Sequence, residues 1–315
     1  MPGSHLSFRA IHGFAAIALV LAGSSSLAGA AATHPTRPSA VQAHRHANGS
    51  QDLYVGNIGG GVLIYSTAKT PQLITELTNQ LTRVTGVWVD QTGVLYAYVD
   101  NRQNPYETIE EFQPGATSPF FSLVVQDYGE IAVADSKQNV YAQAVNSGDQ
   151  AVIDEYPPGS SIYTNAFVVP SIGQVSGVEG LAFDTSGNLL VGVAALAGNK
   201  QGMIGQVFRL NATSSTFVSL NLQQAYGGSI ATDAAGNLYV GGGRLLQVYA
   251  PGATTPTRTI HTKSTIVTVT AKADGTLYVD EYQGGIAIYE PGKSRSRNSF
   301  IPDAQLGGMA VGPAN

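Results

Sequence analysis

The chain has 315 residues, 43% hydrophobic and 12% charged, with 37 glycines, 15 tyrosines, no cysteine and a net charge of −5. That mild acidity gives nucleic acid and anionic membranes no electrostatic reason to bind, and without cysteine neither disulfides nor thiol catalysis is available. About half the usual share of charged residues, beside so many glycines and tyrosines, points to an all-β protein with many tight turns.

Residues 1–30 read as a signal peptide. Arg9 lies in a start free of acids, Phe14 to Ala22 form an apolar run of nine, and small residues lead to Ala28-Gly29-Ala30. The run is far shorter than the roughly 20 apolar residues that span a bilayer, so cleavage rather than anchoring is expected. Residues 31–50 mix Pro, Ser, Ala and His without a hydrophobic period and read as a flexible tail. His44 and His46 stand in that tail, where a lone His-x-His is a weak metal motif. The expected destination is therefore secreted or periplasmic, with no transmembrane segment after cleavage. The alanine-rich leader suits a bacterium, in which the Asn-x-Ser/Thr triplets at 48–50 and 211–213 carry no meaning.

From residue 51 onward one phrase recurs. "DQTGVLYA" at 90–97, "DSKQNVYA" at 135–142, "DTSGNLLV" at 184–191, "DAAGNLYV" at 233–240 and "ADGTLYV" at 273–279 are copies, and "DLYV" at 52–55 is a truncated one. An apolar segment precedes the Asp in the full copies, Asp, Gly and Asn make a turn, and an alternating strand follows. Each copy leads to a strand ending near an aromatic: Tyr65, Phe112, Tyr156, Phe208, Tyr249 and Tyr289, spaced by 47, 44, 52, 41 and 40 residues. After four of them a Pro-Gly turn follows, as in "EFQPGATSP" and "VYAPGATTP"; after Phe208 the turn is "RLNATSS".

A period near 45 residues holds four short strands. A single four-stranded sheet of that size cannot bury both faces, but sheets stacked radially cover one another. The expected fold is all-β, a six-bladed β-propeller of four-stranded antiparallel blades over 51–315. The closing "GGMAVGPAN" at 307–315 resembles the start of a repeat, and the chain resumes that repeat at 51. The C-terminal strand should thus be the inner strand of the N-terminal blade, which removes two raw sheet edges.

The D-x-x-G-N-L-Y-V phrase, the preceding G-[LI]-A segment and the [VI]-x-x-[FY]-x-P-G ending resemble NHL-type propeller repeats. They also resemble the broader six-bladed group of gluconolactonase-like and streptogramin-lyase-like enzymes. The resemblance covers residues 51–315 and implies a fold rather than an activity, because these turns serve folding in every member.

In such a propeller the loops entering the inner strands share a face with the loops between second and third strands. That face, with the channel, is the usual binding surface. Counting back five residues from the turn Asp places Glu130 and Glu179 at the channel mouth on adjacent blades, with Thr85 and Gly228 at the matching positions. Two half-buried carboxylates repel and desolvate each other unless a cation or a shared proton relieves them. Glu130 and Glu179 are therefore candidate ligands for Ca²⁺ or another divalent cation, or for a cationic partner. Two separately solvated acids are the alternative. The face loops add Asp100, Asn101 and Arg102, then Lys200, Arg244, and Asp280, Glu281 and Tyr282. Seven acids (Asp100, Glu107, Glu130, Asp149, Glu179, Asp280 and Glu281) against three bases make the face mildly acidic.

Five of the six histidines lie in the leader and tail, leaving His261 in an outer-strand region. A histidine-rich zinc site or a histidine acid–base centre on the channel is excluded, which departs from the streptogramin-lyase-like enzymes. The glycine runs lack the Lys-Ser/Thr of a phosphate-binding loop, and the basic "KSRSRNS" at 293–299 reads as a solvated outer turn. Two functions remain. One is an exported, non-catalytic, monomeric propeller that binds or scaffolds a protein, peptide or glycan on the acidic face. The other is a metal-dependent hydrolase or lactonase of the gluconolactonase-like kind, with Glu130 and Glu179 as ligands and Asp280 or Asp100 completing the shell.

Overall fold

The computed structural model describes residues 51–100, 106–125, 129–196, 203–211, 214–223, 228–300, 302 and 306–313. The leader and tail expected over 1–50 lie outside the described residues. The described chain forms 24 β-strands in six four-stranded sheets.

Blade 1 contains β1 (Asp52–Asn57), β2 (Val62–Ser66) and β3 (Leu73–Leu77). Blade 2 contains β4 (Val84–Val89), β5 (Leu95–Val99), β6 (Glu107–Phe112) and β7 (Phe121–Val125). Blade 3 contains β8 (Ala132–Ala134), β9 (Val140–Val145), β10 (Ala151–Tyr156) and β11 (Asn165–Val168). Blade 4 contains β12 (Gln174–Phe183), β13 (Leu189–Leu196), β14 (Met203–Asn211) and β15 (Thr216–Ser219). Blade 5 contains β16 (Ile230–Thr232), β17 (Leu238–Gly242), β18 (Leu245–Tyr249) and β19 (Arg258–His261). Blade 6 contains β20 (Ile266–Ala271), β21 (Leu277–Glu281), β22 (Gly285–Tyr289) and β23 (Asn298–Phe300), and β24 (Leu306–Val311) follows.

Every pairing is antiparallel between sequence neighbours except one. β24 pairs with β1, placing Val311 opposite Leu53 and Met309 opposite Val55, and so becomes the inner strand of blade 1. The Gln51 amide donates to the Gly312 carbonyl at 2.5 Å and continues the clasp past the strand end. The six inner strands touch in succession, and β24 meets both β4 and β20, so the blades close into a ring. The fold is a six-bladed β-propeller, as the repeat predicts.

The turn phrase accounts for its own geometry. In blade 4, Asp184 Oδ1 accepts the N–H groups of Ser186 and Asn188, both at 2.9 Å, and Asp184 Oδ2 accepts the Asn188 amide at 2.8 Å. Blade 3 repeats the set with Asp135, Lys137 and Asn139. In blades 4 and 5 the residue before the Asn is a glycine at positive φ, +79° at Gly236, where a Cβ would lie only 3.2 Å from the Pro251 ring of the same blade's Pro-Gly turn. The two recurrent phrases thus pack on each other.

Apolar burial is divided among the blade interfaces, as radial stacking requires. One cluster joins Val62 and Leu77 to Val84 and Phe112 across blades 1 and 2, and another joins Tyr278 and Ile288 to Leu53 and Met309 across blades 6 and 1. Four further clusters fill the remaining interfaces. Each fully buried Val, Leu, Ile or Tyr there contributes roughly 1.5–3 kcal/mol. Around the channel the inner strands approach too closely for side chains at some points. A Cβ on Gly86 would stand 2.5 Å from the Glu130 carbonyl, and one on Gly307 2.3 Å from the Val84 carbonyl.

Candidate functional site

Glu179 lies in β12 and Glu130 stands two residues before β8, on adjacent blades. Glu130 is exposed and Glu179 half-buried. Burial pushes the Glu179 carboxyl up to about 7, and the negative charge of Glu130 adds to the shift. The charge of Glu130 thus acts on Glu179. Near neutral pH, Glu179 relieves the repulsion by keeping a proton part of the time.

A third carboxylate belongs with them. Glu107, the first residue of β6, accepts hydrogen bonds from the Tyr98 hydroxyl at 2.7 Å and from the Gly129 N–H at 3.0 Å. Its carboxyl is raised: burial outweighs those two bonds, and the charges of Asp100 and Glu130 add to the effect. Asp100 in turn stands 2.8 Å from Arg83 Nε, a charge contact not aligned as a hydrogen bond. Blades 2, 3 and 4 thus present Asp100, Glu107, Glu130 and Glu179 within electrostatic reach, with Arg83 as a partial counter-charge. Sequence reading counts Glu107 among the face acids without placing it at the mouth. The available signal is Tyr98, which faces it across the β5–β6 hairpin.

The other candidates divide. Thr85 is half-buried beside this group, and its hydroxyl points to the Tyr98 carbonyl at 3.5 Å. Arg244 is exposed on blade 5 and donates to the Thr262 carbonyl at 3.3 Å. Asp280 and Glu281 are expected in a loop, but they are the last residues of β21 and are 3% and 2% exposed. The strand runs on because the loop needs only three residues: the Gly284 N–H closes onto the Glu281 carbonyl at 2.7 Å, with Gln283 at positive φ. Successive strand residues face opposite ways, so Asp280 and Glu281 point into different blade interfaces. Burial, then Glu281, pushes the Asp280 carboxyl up to about 7, and Glu281 accepts the Tyr289 hydroxyl at 3.1 Å. Tyr282 is exposed. Asn101, Arg102 and Lys200 lie outside the described residues. His261 ends the outer strand β19 and is exposed.

As a cation site the mouth offers carboxylate oxygens of the right chemistry. Among the described residues, however, no group of three His, Cys, Asp or Glu side chains is arranged to hold a metal ion. The described donors therefore fall short of a divalent-metal shell.

No protein-family model and no curated protein matches the chain. Solved structures do. A chain of a nidogen–laminin complex superposes with a TM-score of 0.60 at 14% identity, covering 83% of this chain and 98% of that one. A Bacteroides caccae protein of unknown function gives 0.58 at 11% identity, with 83% and 98% covered. Kuenenia stuttgartiensis hydrazine synthase gives 0.54 at 12% identity, with 74% and 90% covered. At such identities the likeness concerns the fold.

Proposed function

We propose that the protein is an exported, non-catalytic propeller of the NHL-like kind that binds a protein, peptide or glycan on the channel face. Cationic groups of the partner would be held by Glu130, Glu179 and Glu107. The observation that carries this reading is the coupling of Glu130 and Glu179 across two blades, with Glu179 raised to about 7 by burial and by its neighbour. A cation approaching that carboxyl offsets the desolvation by burial, the larger cause of the shift, and also the repulsion from Glu130. Rigid blades beneath exposed loops make a suitable platform for recognition. Propellers found in assemblies, such as the nidogen–laminin complex, are compatible precedents for the fold. The leader expected over 1–30 supports export, and the working oligomeric state is a monomer.

The test is capture of a lysine- and arginine-bearing peptide array by the full chain and by the Glu130→Gln/Glu179→Gln variant. The reading expects the array signal of the wild type to fall about tenfold or more in the variant, the loss of one to two charge-assisted contacts. Equal capture by both proteins refutes it. The hydrolase alternative gains no support from the donor set described above.

A further inference from the structure

On the opposite face, where the Asp turns lie, the blade interfaces repeat one architecture but are filled differently. The turn position after the third residue of the phrase is Gln138 in blade 3 and Gly275 in blade 6, as matching turn bonds show: Gln138 N–H to the Asp135 carbonyl and Gly275 N–H to the Lys272 carbonyl. Between blades 2 and 3, Gln138 reaches across to Asp90 Oδ2 at 3.3 Å and Thr92 Oγ1 at 3.2 Å. The outer pair of that blade, Glu111 opposite Phe121, adds a ring. In blade 3 the corresponding pair is Glu155 opposite Asn165, and the two side chains bond at 2.6 Å.

Between blades 5 and 6 these plugs are missing. Gly275 replaces the glutamine, and the outer pair is Val248 opposite Arg258, so the arginine faces an aliphatic chain that cannot accept a hydrogen bond. A cavity of about 370 Å³ opens there, lined by Asp233, Tyr239, Arg258, Asp274, Gly275 and neighbouring turn residues. One guanidinium nitrogen of Arg258 donates to the Lys293 carbonyl at 3.0 Å, which holds the group in the wall. Arg258 has no carboxylate partner among the described residues. Facing it, Asp233 is 7% exposed and accepts the Tyr239 hydroxyl and the Asn237 amide, each at 2.8 Å. Burial and the Asp233 bond push the Tyr239 phenol up, while the Arg258 charge pulls it back, so the cation and the phenol share the crevice.

We propose that this crevice binds a small zwitterion of the free α-amino acid type, with its carboxylate on the open donors of Arg258 and its ammonium toward Asp233 and Asp274. The volume falls in the range of small-ligand sites. A planar guanidinium suits a carboxylate in two-point contact. Asp274 lies 3.3 Å from Lys272 Nζ and accepts the Thr276 N–H at 2.8 Å, so the buried Asp233 is the main anchor for the ammonium and Asp274 a secondary one.

The test uses the full chain, calorimetry and NMR titration with L-alanine, L-asparagine and L-glutamine, and acetate and ethylammonium as single-ended probes. Binding of at least one amino acid, about tenfold tighter than either single-ended probe, is expected. Arg258→Gln should weaken it about ten- to a hundredfold, the loss of a charged hydrogen-bond pair. Gly275→Gln should abolish it by placing in the crevice the residue that fills the blade 2–3 interface. Gln138 shows that this turn position admits glutamine at φ +66°, but at Gly275, φ +84°, the added Cβ comes 3.2 Å from Asp233 Oδ2 and the carboxylate must give way slightly, so a melting curve verifies folding and Arg258→Gln stands as the variant that leaves the turn intact. Glu130→Gln/Glu179→Gln should leave this binding unchanged. The proposal is overturned if no amino acid binds at about 10 mM, if acetate binds as tightly, or if both crevice variants bind like the wild type.

Discussion

Glu111 gives the sharpest physical test of how this ring is built. Its side chain is 6% exposed in β6, and among the described residues no hydrogen-bond donor or cation meets its carboxylate. Burial, then the charges of Asp90 and Glu110, pushes its carboxyl up to about 8. An unfolded glutamate titrates near 4.3. The folded state therefore binds more protons than the unfolded state between those values, and stability must fall as pH rises through that window. The stability associated with the protonated acid is fully present below about 4, and its loss is complete above about 8. The Glu111→Gln variant removes one titrating proton, so its stability-versus-pH curve should be shallower by about 1.4 kcal/mol per pH unit between pH 5 and 8. Accumulated across the window, the variant gains on the order of 4 kcal/mol relative to wild type in alkaline buffer. Urea unfolding of both proteins at half-unit pH steps measures this directly. Parallel curves would refute the reasoning, since they would mean that Glu111 is ionised and solvated in the folded state.

Three further outcomes follow from the same structure. Gln138→Ala removes the cross-blade amide from Asp90 and should cost about 1 kcal/mol, read as a lower urea midpoint with an unchanged slope; an unchanged midpoint would dismiss the latch. Truncation before residue 306 strips Met309 from the 6–1 interface and Ala310 from the 1–2 interface and bares β1; a loss near 5 kcal/mol and a melting temperature lower by roughly 10–20 °C are expected, while unchanged melting would contradict closure. Glu130→Gln removes the smaller of the two causes acting on Glu179, so the Glu179 carboxyl should titrate below about 7 yet above the ordinary carboxylate range; carbon-13 NMR titration with no movement would show that the two acids do not interact.

The fold was readable in the sequence because each of its devices is local. The Asp–Gly–Asn phrase satisfies its own turn within five residues, and the Pro-Gly phrase closes the next hairpin of the same blade. Even the closing strand left a mark, since "GGMAV" matches the strand that the first copy lacks. Positions that depend on the neighbouring blade were less visible. Glu130 and Glu179 could be aligned because both count back from a turn Asp. Glu107 has no such ruler; its place depends on Tyr98 across a hairpin and on Gly129 from the next blade. Asp280 and Glu281 look like loop acids because charge usually marks a loop, yet the three-residue turn after them keeps both in the strand and buries them.

The blade 2 turn shows why such interblade terms govern where this molecule can acquire sites. In blades 3, 4 and 5 an Asn closes the turn and bonds the Asp Oδ2 of its own blade. Blade 2 has Val94 instead, and the amide comes from Gln138 of blade 3. A defect in one repeat is thus repaired by the next, and the repair fills the crevice between them. Blade 5 has its own Asn237, so no repair is required from blade 6, and its crevice is free to remain open. Blade 3 also closes its own turn, but its outer pair Glu155 and Asn165 is bonded, so a self-sufficient turn permits an open crevice and the outer pair decides whether one forms. The same logic separates the two faces. The turn face exposes whatever the repeat leaves unfilled, whereas Glu107, Glu130 and Glu179 come from three blades and are brought together only by the ring, Glu107 with a hydrogen bond from Gly129 of the next blade.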